Sequence, residues 1–238
     1  MESSEFDIIA QGVTKSFGNI QALRGVDLKI KKGEFVTVFG PNGAGKTTLI
    51  KLLATLTKPT SGKVIIANHD IKKEPDKVRA LIGVISHDPY LYGNLSALEN
   101  IGFFASLYGI SQPKEKAIQV IKQVGLESRM HDLVRTFSRG MQQRLAVARA
   151  IVHNPKIFLL DEPYTGLDQH GARIFGDLLN WLKTENRTIV MTTHNLPEGL
   201  EISDRVAILD VGKIVYESDA RGIELTKFKE IYFEKVGT

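Results

Sequence analysis

Two segments of the chain combine residue types that suit phosphate chemistry. The first, Gly40-Pro-Asn-Gly-Ala-Gly-Lys-Thr47, matches G-x-x-x-x-G-K-[ST] in full and stands between a predicted strand and a predicted helix. Glycines let backbone N–H groups surround phosphate oxygens, and the helix N-terminus adds a favourable dipole. An ordinary glycine-rich turn is the alternative. The predicted phosphate-binding residues are Gly40, Pro41, Asn42, Gly43, Ala44, Gly45, Lys46, Thr47 and Thr48.

The second segment, Ile157-Phe-Leu-Leu-Asp-Glu-Pro163, is a buried-type strand that ends in two carboxylates. Phosphoryl transfer depends on positioning and on neutralising charge, so each carboxylate can have its own task. We expect Asp161 and the Thr47 hydroxyl to bind Mg²⁺, Lys46 to reach the β- and γ-phosphates, and Glu162 to polarise the attacking water. A solvated acidic turn is the alternative, and the phosphate loop argues against it.

Residue patterns predict an α/β chain around these two segments. Alternating apolar residues between turns predict strands at Phe6–Val13, Leu23–Ile30, Phe35–Phe39, Lys63–Ile66 and Leu81–Ile85. Apolar residues at helical spacing predict helices at Thr47–Leu56, Ala97–Tyr108 and Lys114–Val124. Strand and helix then alternate again through Ile157–Leu160, Ala172–Leu182, Thr188–Thr192 and Val206–Leu209. This order predicts a largely parallel sheet with a helical lobe of roughly 60 residues inserted into it.

Composition excludes several other classes of protein. The 238 residues are 42% apolar, enough for one large domain or a core with a smaller lobe. Basic residues number 31 and acidic ones 27, a balance that argues against a nucleic-acid partner. No cysteine is present, which excludes thiol catalysis and fits a reducing compartment. The N-terminus lacks an apolar signal segment and no run reaches membrane-spanning length, so we expect any membrane role to depend on a partner.

A third segment, Phe137-Ser-Arg-Gly-Met-Gln-Gln-Arg144, begins a helix with apolar periodicity, and Ser138 lies 23 residues before Asp161. An N-capped core helix is the plain interpretation of this motif. Together with the phosphate segments, however, it makes nearly the whole chain resemble the nucleotide-binding subunit of an ATP-binding cassette (ABC) transporter. The family signature Leu-Ser-Gly-Gly-Gln is matched at Ser138 and Gly140, whereas the residues at 137, 139 and 141 differ from it.

The resemblance implies ATP and Mg²⁺ as ligands and assigns roles to further residues. Ser138 and Gly140 are implied to contact the γ-phosphate bound on the opposite subunit. His194 is implied to contact the γ-phosphate and the catalytic water, which makes it catalytic together with Lys46 and Glu162. A structural histidine after a strand is the alternative.

Two further segments also match the family. Gly166-Leu-Asp168 resembles the loop that runs along the dimer interface. Phe17 is implied to stack on adenine, and core packing is the alternative for a single aromatic beside a turn.

His87 stands where the family has a glutamine, at the junction of core and helical lobe. An amide oxygen suits Mg²⁺, whereas an imidazole nitrogen is a poorer ligand for it. We therefore interpret His87 as a nucleotide-site residue that acts mainly as a hydrogen-bonding lever between nucleotide and lobe. Metal contact would then be through water or shifted to Asp88. A solvent-facing histidine without a role is the alternative.

The resemblance also predicts the fold and the partners. It implies an α/β P-loop NTPase (RecA-like) core with an N-terminal antiparallel β subdomain and an inserted α-helical subdomain. Residues 1–238 are then a single ABC ATPase domain, with core 1–88 and 153–238 and helical subdomain about 89–152. Expected partners are a second ABC subunit in a head-to-tail homodimer or heterodimer, and polytopic membrane subunits. The expected location is cytoplasmic, peripheral on the inner face of the cell membrane.

Local sequence suggests a cargo and a docking surface. The segments 86–92, 98–100, 134–141 and 161–168 are similar to the haem-exporter ATPases of cytochrome c maturation, so haem export is the main prediction and a drug, lipid or polysaccharide the alternative. Only about 50 residues separate His87 from Ser138, too few for the coiled-coil insertion of DNA-repair and chromosome ATPases. An aromatic group could receive a helix of a membrane subunit or pack in the core: Tyr90, Tyr92, Phe103, Phe104 and Tyr108.

Overall fold

The computed structural model of the chain describes residues 5–86 and 88–237. The strands within these ranges are β1 (Phe6–Phe17), β2 (Ile20–Lys31), β3 (Phe35–Phe39), β4 (Ser61–Ile66), β5 (His69–Asp70), β6 (Ile82–Ser86), β7 (Ile157–Asp161), β8 (Thr188–Thr193), β9 (Arg205–Asp210) and β10 (Lys213–Asp219). The helices are α1 (Lys46–Leu53), α2 (Pro75–Leu81), α3 (Ala97–Leu107), α4 (Pro113–Gln123), α5 (Arg139–Ile151), α6 (Gln169–Thr184), α7 (Leu196–Ile202) and α8 (Leu225–Val236).

The first strands form an antiparallel sheet in the order β2-β1-β4-β5. β1 and β2 pair along their whole length, from Phe6 opposite Lys31 to Phe17 opposite Ile20, and Gly18 turns the chain with φ of 56°. Alternate apolar side chains of this hairpin, such as Val26 and Leu28, are buried on one face. The sheet therefore covers one side of the core with that face and meets solvent with the other.

The central sheet has the order β10-β9-β3-β8-β7-β6. All its pairings are parallel except that of β10 with β9. Strands β3, β7 and β8 are buried along their whole length, as expected of a parallel sheet covered on both faces. The phosphate loop follows β3, and the two carboxylates end β7.

Hydrophobic clusters lie on the two faces of this sheet. On one face α1 and the antiparallel sheet pack against Val36, Val38 and Leu159. On the other face helices α3 to α6 pack against Phe35, Leu160 and other strand residues. Helices α7 and α8 close the edge around Phe39 and Phe228, whose rings meet at 5.0 Å.

Several predicted bounds were wrong. The β1–β2 hairpin is longer than predicted because pairing continues to the tight turn. The helix predicted at Thr47–Leu56 spans Lys46–Leu53, and the one predicted from Ala172 begins at Gln169, where Asp168 supplies an N-cap. Leu81, predicted to begin a strand, ends α2 instead. The division into a core and a helical subdomain stays a prediction, although α3, α4 and α5 all lie between β6 and β7.

Candidate active site

The site lies where three neighbouring strands of the central sheet end. β8 lies between β3 and β7, and the register places Phe39 beside Thr193 and Asp161 beside Thr192. The residues that follow these strand ends therefore meet at one edge of the sheet, where α/β folds bind ligands. They come from the phosphate loop after β3, the acidic pair after β7 and the histidine after β8.

The loop between β3 and α1 needs glycine at two positions. A Cβ on Gly40 would lie 2.2 Å from the Leu209 carbonyl oxygen. Gly45 has φ of 108°, and its Cβ would lie 2.5 Å from the Ala22 carbonyl oxygen. The loop borders a cavity of about 230 Å³ whose lining includes Glu162 and residues from Pro41 to Thr48.

Lys46 lies at the base of this cavity and is only 6% exposed. Its Nζ donates to the carbonyl oxygens of Gly40 at 2.6 Å and Pro41 at 3.1 Å. The same Nζ lies 3.2 Å from Oε1 of Glu162. A buried ammonium group held by two carbonyls and a carboxylate places one fixed positive charge beneath the loop.

Hydrogen bonds hold both the backbone and the side chain of Glu162. Its backbone has φ of 48°, and its N–H donates to the Thr192 carbonyl at 3.0 Å. Its Oε2 lies 2.8 Å from Nδ1 of His194 and accepts the His194 backbone N–H at 3.3 Å. A left-handed backbone is unfavourable for a residue with a Cβ, and such strain is often found at functional sites. Lys46, Glu162 and His194 therefore form one connected group.

Asp161 is buried next to this group and accepts hydrogen bonds from two hydroxyl groups. Its Oδ1 accepts from Thr47 Oγ1 at 3.2 Å and from Thr192 Oγ1 at 2.7 Å. The Thr47 hydroxyl and the Asp161 carboxylate are adjacent hard oxygen donors, which suit Mg²⁺. Within the described ranges no three His, Asp or Glu side chains converge as a metal cluster. The Thr47 hydroxyl and the Asp161 carboxylate alone suit an ion whose other ligands are oxygens of nucleotide phosphates.

Sequence reasoning missed Thr192, which orients Asp161. Thr192 ends the strand predicted at Thr188–Thr192, two residues before His194, and was given no role of its own. The signal that could have found it is the strand register, because parallel pairing of β7 and β8 places Thr192 opposite Asp161.

Ser138 and Gly140 lie apart from this group. Ser138 caps α5, accepting the Met141 N–H at 3.3 Å, which matches the predicted N-cap. A Cβ on Gly140 would lie 3.8 Å from the Gly171 Cα, at the start of α6. Neither residue is in the described lining of the phosphate cavity. The position of Ser138 and Gly140 therefore does not support a contact with ATP bound in the cavity of the same chain.

Phe17, His87 and the segment 166–168 are the remaining predicted site residues. Phe17 is 51% exposed, with Lys15 Nζ 4.8 Å from its ring centroid, which excludes the core-packing alternative. His87 lies outside the described residues. Gly166 has φ of 78° and Asp168 caps α6 by accepting the Gly171 N–H at 2.7 Å, so the predicted interface loop ends in an ordered turn.

Comparison with known proteins identifies the family. A family model described as "ABC transporter" matches residues 23–165, which carry the phosphate loop, the signature segment and both carboxylates. The chain belongs to the ABC transporter family. The predicted resemblance is thus confirmed at this level.

Relatives of this ABC protein include ATP-binding proteins of bacteria. The ABC transporter ATP-binding protein NatA of Bacillus subtilis is 38% identical over 83% of this chain and 81% of its own length. The doxorubicin resistance ATP-binding protein DrrA of Mycobacterium tuberculosis is 35% identical over 94% of this chain and 69% of its own length.

Solved structures also match the fold. A dimeric structure of a post-hydrolysis state of the ATP-binding cassette MJ0796, bound to ADP and Pi, has a TM-score of 0.82 and 32% identity. The alignment covers 91% of this chain and 100% of that one. The predicted P-loop NTPase fold and ATPase activity are confirmed: this ABC protein binds and hydrolyses ATP. Within the described residues no helix is long and apolar enough to cross a membrane.

Proposed function

We propose that this chain is the ATPase subunit of an ABC exporter whose cargo is an amphipathic, drug-like small molecule. The supporting observation is the 35% identity, over 94% of the chain, to a protein named for doxorubicin resistance. A daunorubicin resistance ATP-binding protein, DrrA3 of Streptomyces coeruleorubidus, is 34% identical over 90% of the chain. None of the relatives named above is described as a haem exporter. Haem export, our first prediction, is the second candidate and is favoured only by the similar segments 86–92, 98–100, 134–141 and 161–168.

In the proposed mechanism, Lys46 binds the β- and γ-phosphates of ATP as they enter the loop. Glu162 then holds the attacking water in line and accepts its proton, and His194 positions the γ-phosphate from the other side. Asp161 and Thr47 would hold Mg²⁺, which supplies charge neutralisation on the phosphates when it is bound. Phe17, exposed at the end of β1, would stack on the adenine.

The proposed active unit is a head-to-tail pair of ABC subunits. Ser138 is exposed and Gly140 partly exposed at the start of α5, and both lie outside the described lining of the phosphate cavity of their own chain. Backbone N–H groups at a helix start bind anions, so these residues suit the γ-phosphate held by a second subunit. ATP then favours the closed pair and hydrolysis favours the open one. The dimeric structure of MJ0796 supports this arrangement by analogy.

The proposed partners in the membrane are polytopic subunits that this chain contacts from the cytoplasmic face. Of the aromatic group predicted as a docking surface, Tyr90, Tyr92, Phe103 and Tyr108 are exposed rather than packed in the core. The predicted core-packing alternative is therefore excluded for these four. We propose that the helical subdomain carries this surface and the core carries the nucleotide.

The cargo can be tested in a complex purified from native membranes through a tagged chain and reconstituted in proteoliposomes. We expect doxorubicin to stimulate ATP hydrolysis several-fold and haem to have no effect, with the Glu162→Gln complex as a control for contaminating ATPases. Stimulation by haem alone would overturn the drug proposal. A purified complex without polytopic subunits would overturn the exporter role itself.

A further inference from the structure

The end of the β1–β2 hairpin lies beside the phosphate cavity. Phe17 pairs with Ile20 at this end, and Ala22, two residues further along β2, lines the cavity. A Cβ on Gly45 of the phosphate loop would lie 2.5 Å from the Ala22 carbonyl oxygen, so the hairpin and the loop are in contact. Two residues of a strand span about 7 Å. The Phe17 ring therefore lies where the base of a nucleotide bound through its phosphates can reach it.

The Phe17 ring is exposed, so packing in the core does not fix its orientation. Gly18 turns the chain immediately after it, and Ile20 opposite is exposed as well. An exposed side chain exchanges between rotamers within picoseconds to nanoseconds. Ordering such a ring when a base stacks on it costs conformational entropy, which lowers affinity. A contact that holds the ring before the nucleotide arrives reduces this cost.

Lys15 provides such a contact. Its Nζ lies 4.8 Å from the Phe17 ring centroid, within the range of a cation–π interaction. The same Nζ donates to the Lys58 carbonyl oxygen at 2.9 Å. Lys15 is only partly exposed, in contrast to the ring that it contacts. The ring and the carbonyl oxygen together hold the ammonium group over one face of Phe17.

Hydrogen bonds fasten the segment that follows Lys58 to β1, on either side of Lys15. The Ser16 N–H donates to Thr60 Oγ1 at 3.0 Å. The Thr60 N–H in turn donates to the Thr14 carbonyl oxygen at 2.9 Å. These bonds fix the position of the Lys58 carbonyl relative to the strand, so this carbonyl is a fixed anchor for the ammonium group.

We infer that Lys15 is a positioning residue for the nucleotide base: anchored on the Lys58 carbonyl, its ammonium group covers one face of the Phe17 ring and leaves the opposite face for adenine. The inference rests on the proposed stacking of Phe17 on adenine and names the residue that orients the ring for it. The charge also favours the stack, because the faces of both rings are electron-rich and a cation on the far side of one draws electron density away from the contact. Lys15 acts through Phe17 and does not itself contact the nucleotide.

Calorimetric ATP binding and phosphate release by the full chain test this role. Lys15→Met removes the charge and keeps most of the length of the side chain. We expect Kd and KM for ATP to rise about two- to fivefold, the effect of a partly exposed cation–π contact, with kcat unchanged. Lys15→Arg should keep the original affinity, because a guanidinium also stacks on an aromatic face. Lys58→Met is the matched control and should change nothing, because only the carbonyl of Lys58 contacts Lys15. Equal ATP affinities of Lys15→Met and the original chain would overturn the inference.

Inorganic tripolyphosphate separates an effect on the ring from attraction of the phosphates. Lys15→Met should bind tripolyphosphate as the original chain does, which also shows that the variant is folded. Equal weakening of tripolyphosphate and ATP would mean that the charge acts on the phosphates, and the inference would be wrong.

A double-mutant cycle tests whether Lys15 acts through Phe17. Phe17→Ala should weaken ATP binding about tenfold, within the range of a lost base–aromatic stack. In that background Lys15→Met should add no further loss, because the two residues act as one unit. A further loss of the same size as in the original chain would overturn the inference and leave the stacking intact. Unchanged ATP affinity of Phe17→Ala would instead overturn the proposed stacking on adenine itself.

Discussion

At the scale of single residues, the loop carbonyls, Glu162 and an incoming phosphate group compete for the Lys46 ammonium group. Its Nζ is shared between two loop carbonyls and Glu162. A phosphate group is a stronger partner than a carbonyl because both partners are then charged. ATP is therefore expected to draw Lys46 away from Glu162, leaving that carboxylate free to accept a proton from water.

The role of Glu162 can be tested by Glu162→Gln, which preserves its shape but removes its basicity. We expect hydrolysis to fall by about 10²–10⁴-fold, the usual contribution of a general base. Nucleotide affinity should stay within a few-fold, because Lys46 and the loop remain. Phosphate release and fluorescent nucleotide binding measure the two quantities. Glu201→Gln on the exposed side of α7 is the control, and equal activities of both variants would contradict the assignment.

His153 predicts how stability depends on pH. Burial holds its pKa below the usual 6.5 in the folded chain, so the unfolded chain binds the proton more readily. Stability should therefore fall as pH decreases below about 6.5. We expect the drop in Tm between pH 7.5 and 5.5 to be smaller in His153→Gln than in the original chain. His131→Gln, at an exposed histidine, should keep the original drop, and an unchanged drop in His153→Gln would refute the prediction.

At the scale of elements, helices α3 and α5 both begin at a serine. Ser96 caps α3 in a reciprocal arrangement in which Glu99 Oε2 accepts the Ser96 N–H at 2.7 Å and Ser96 Oγ accepts the Glu99 N–H at 3.2 Å. Hydrogen bonding to Ser96 lowers the pKa of Glu99. This cap fixes the start of the helix that carries Phe103 and Phe104, two residues of the predicted docking surface.

Removing the cap of α3 should therefore destabilise the chain. Ser96→Ala is expected to lower the free energy of unfolding by about 1 kcal/mol, the typical value for a lost serine cap. Ser106→Ala, on the same helix, should change it much less, because its Oγ only supplements the helical pattern by donating to the Gly102 carbonyl. Urea denaturation compares the variants, and equal losses would show that the cap is not the cause.

The sequence predicted those elements best whose residues combine a strong apolar period with a clear end signal. β3, β7 and β8 are short runs rich in apolar and β-branched residues, and the segments that follow them carry recognisable phosphate chemistry. β10 was missed because Lys213–Asp219 alternates between partly and fully exposed residues and offers no apolar face of its own. Similarly, α2 is only about two turns long and buries Val78 alone. Tertiary contacts stabilise such elements, and a single sequence does not reveal those contacts.

At the scale of the whole molecule, the site of one chain is incomplete for the proposed mechanism. The phosphate cavity is lined by the loop, Ala22 and Glu162, while the signature segment lies elsewhere on the surface. In a head-to-tail pair, the signature segment of each copy would complete the phosphate cavity of the other. A two-fold axis makes the two contacts equivalent.

A change of charge at Ser138 tests this pairing. Aspartate and asparagine both cap helices as well as serine, so either variant should keep the fold. Ser138→Asp would place a negative charge against the partner's γ-phosphate, whereas Ser138→Asn would not. In the Glu162→Gln background with ATP, we expect dimers in light scattering for Ser138 and Ser138→Asn and monomers for Ser138→Asp. Dimers in all three would contradict the contact across the interface.

Helix α5 connects two of the surfaces described above. Ser138 caps its start, and Arg149 in its last turns lies 5.6 Å from the ring centroid of Tyr90 in the predicted docking surface. At 1.5 Å per residue the two ends are about 16 Å apart. Between Met141 and Ile151 the helix has no glycine or proline, and most of its residues are buried against the core. It therefore has no joint along this length. A movement at the signature end is therefore expected to reach the other end as a displacement of the whole helix rather than as a local bend.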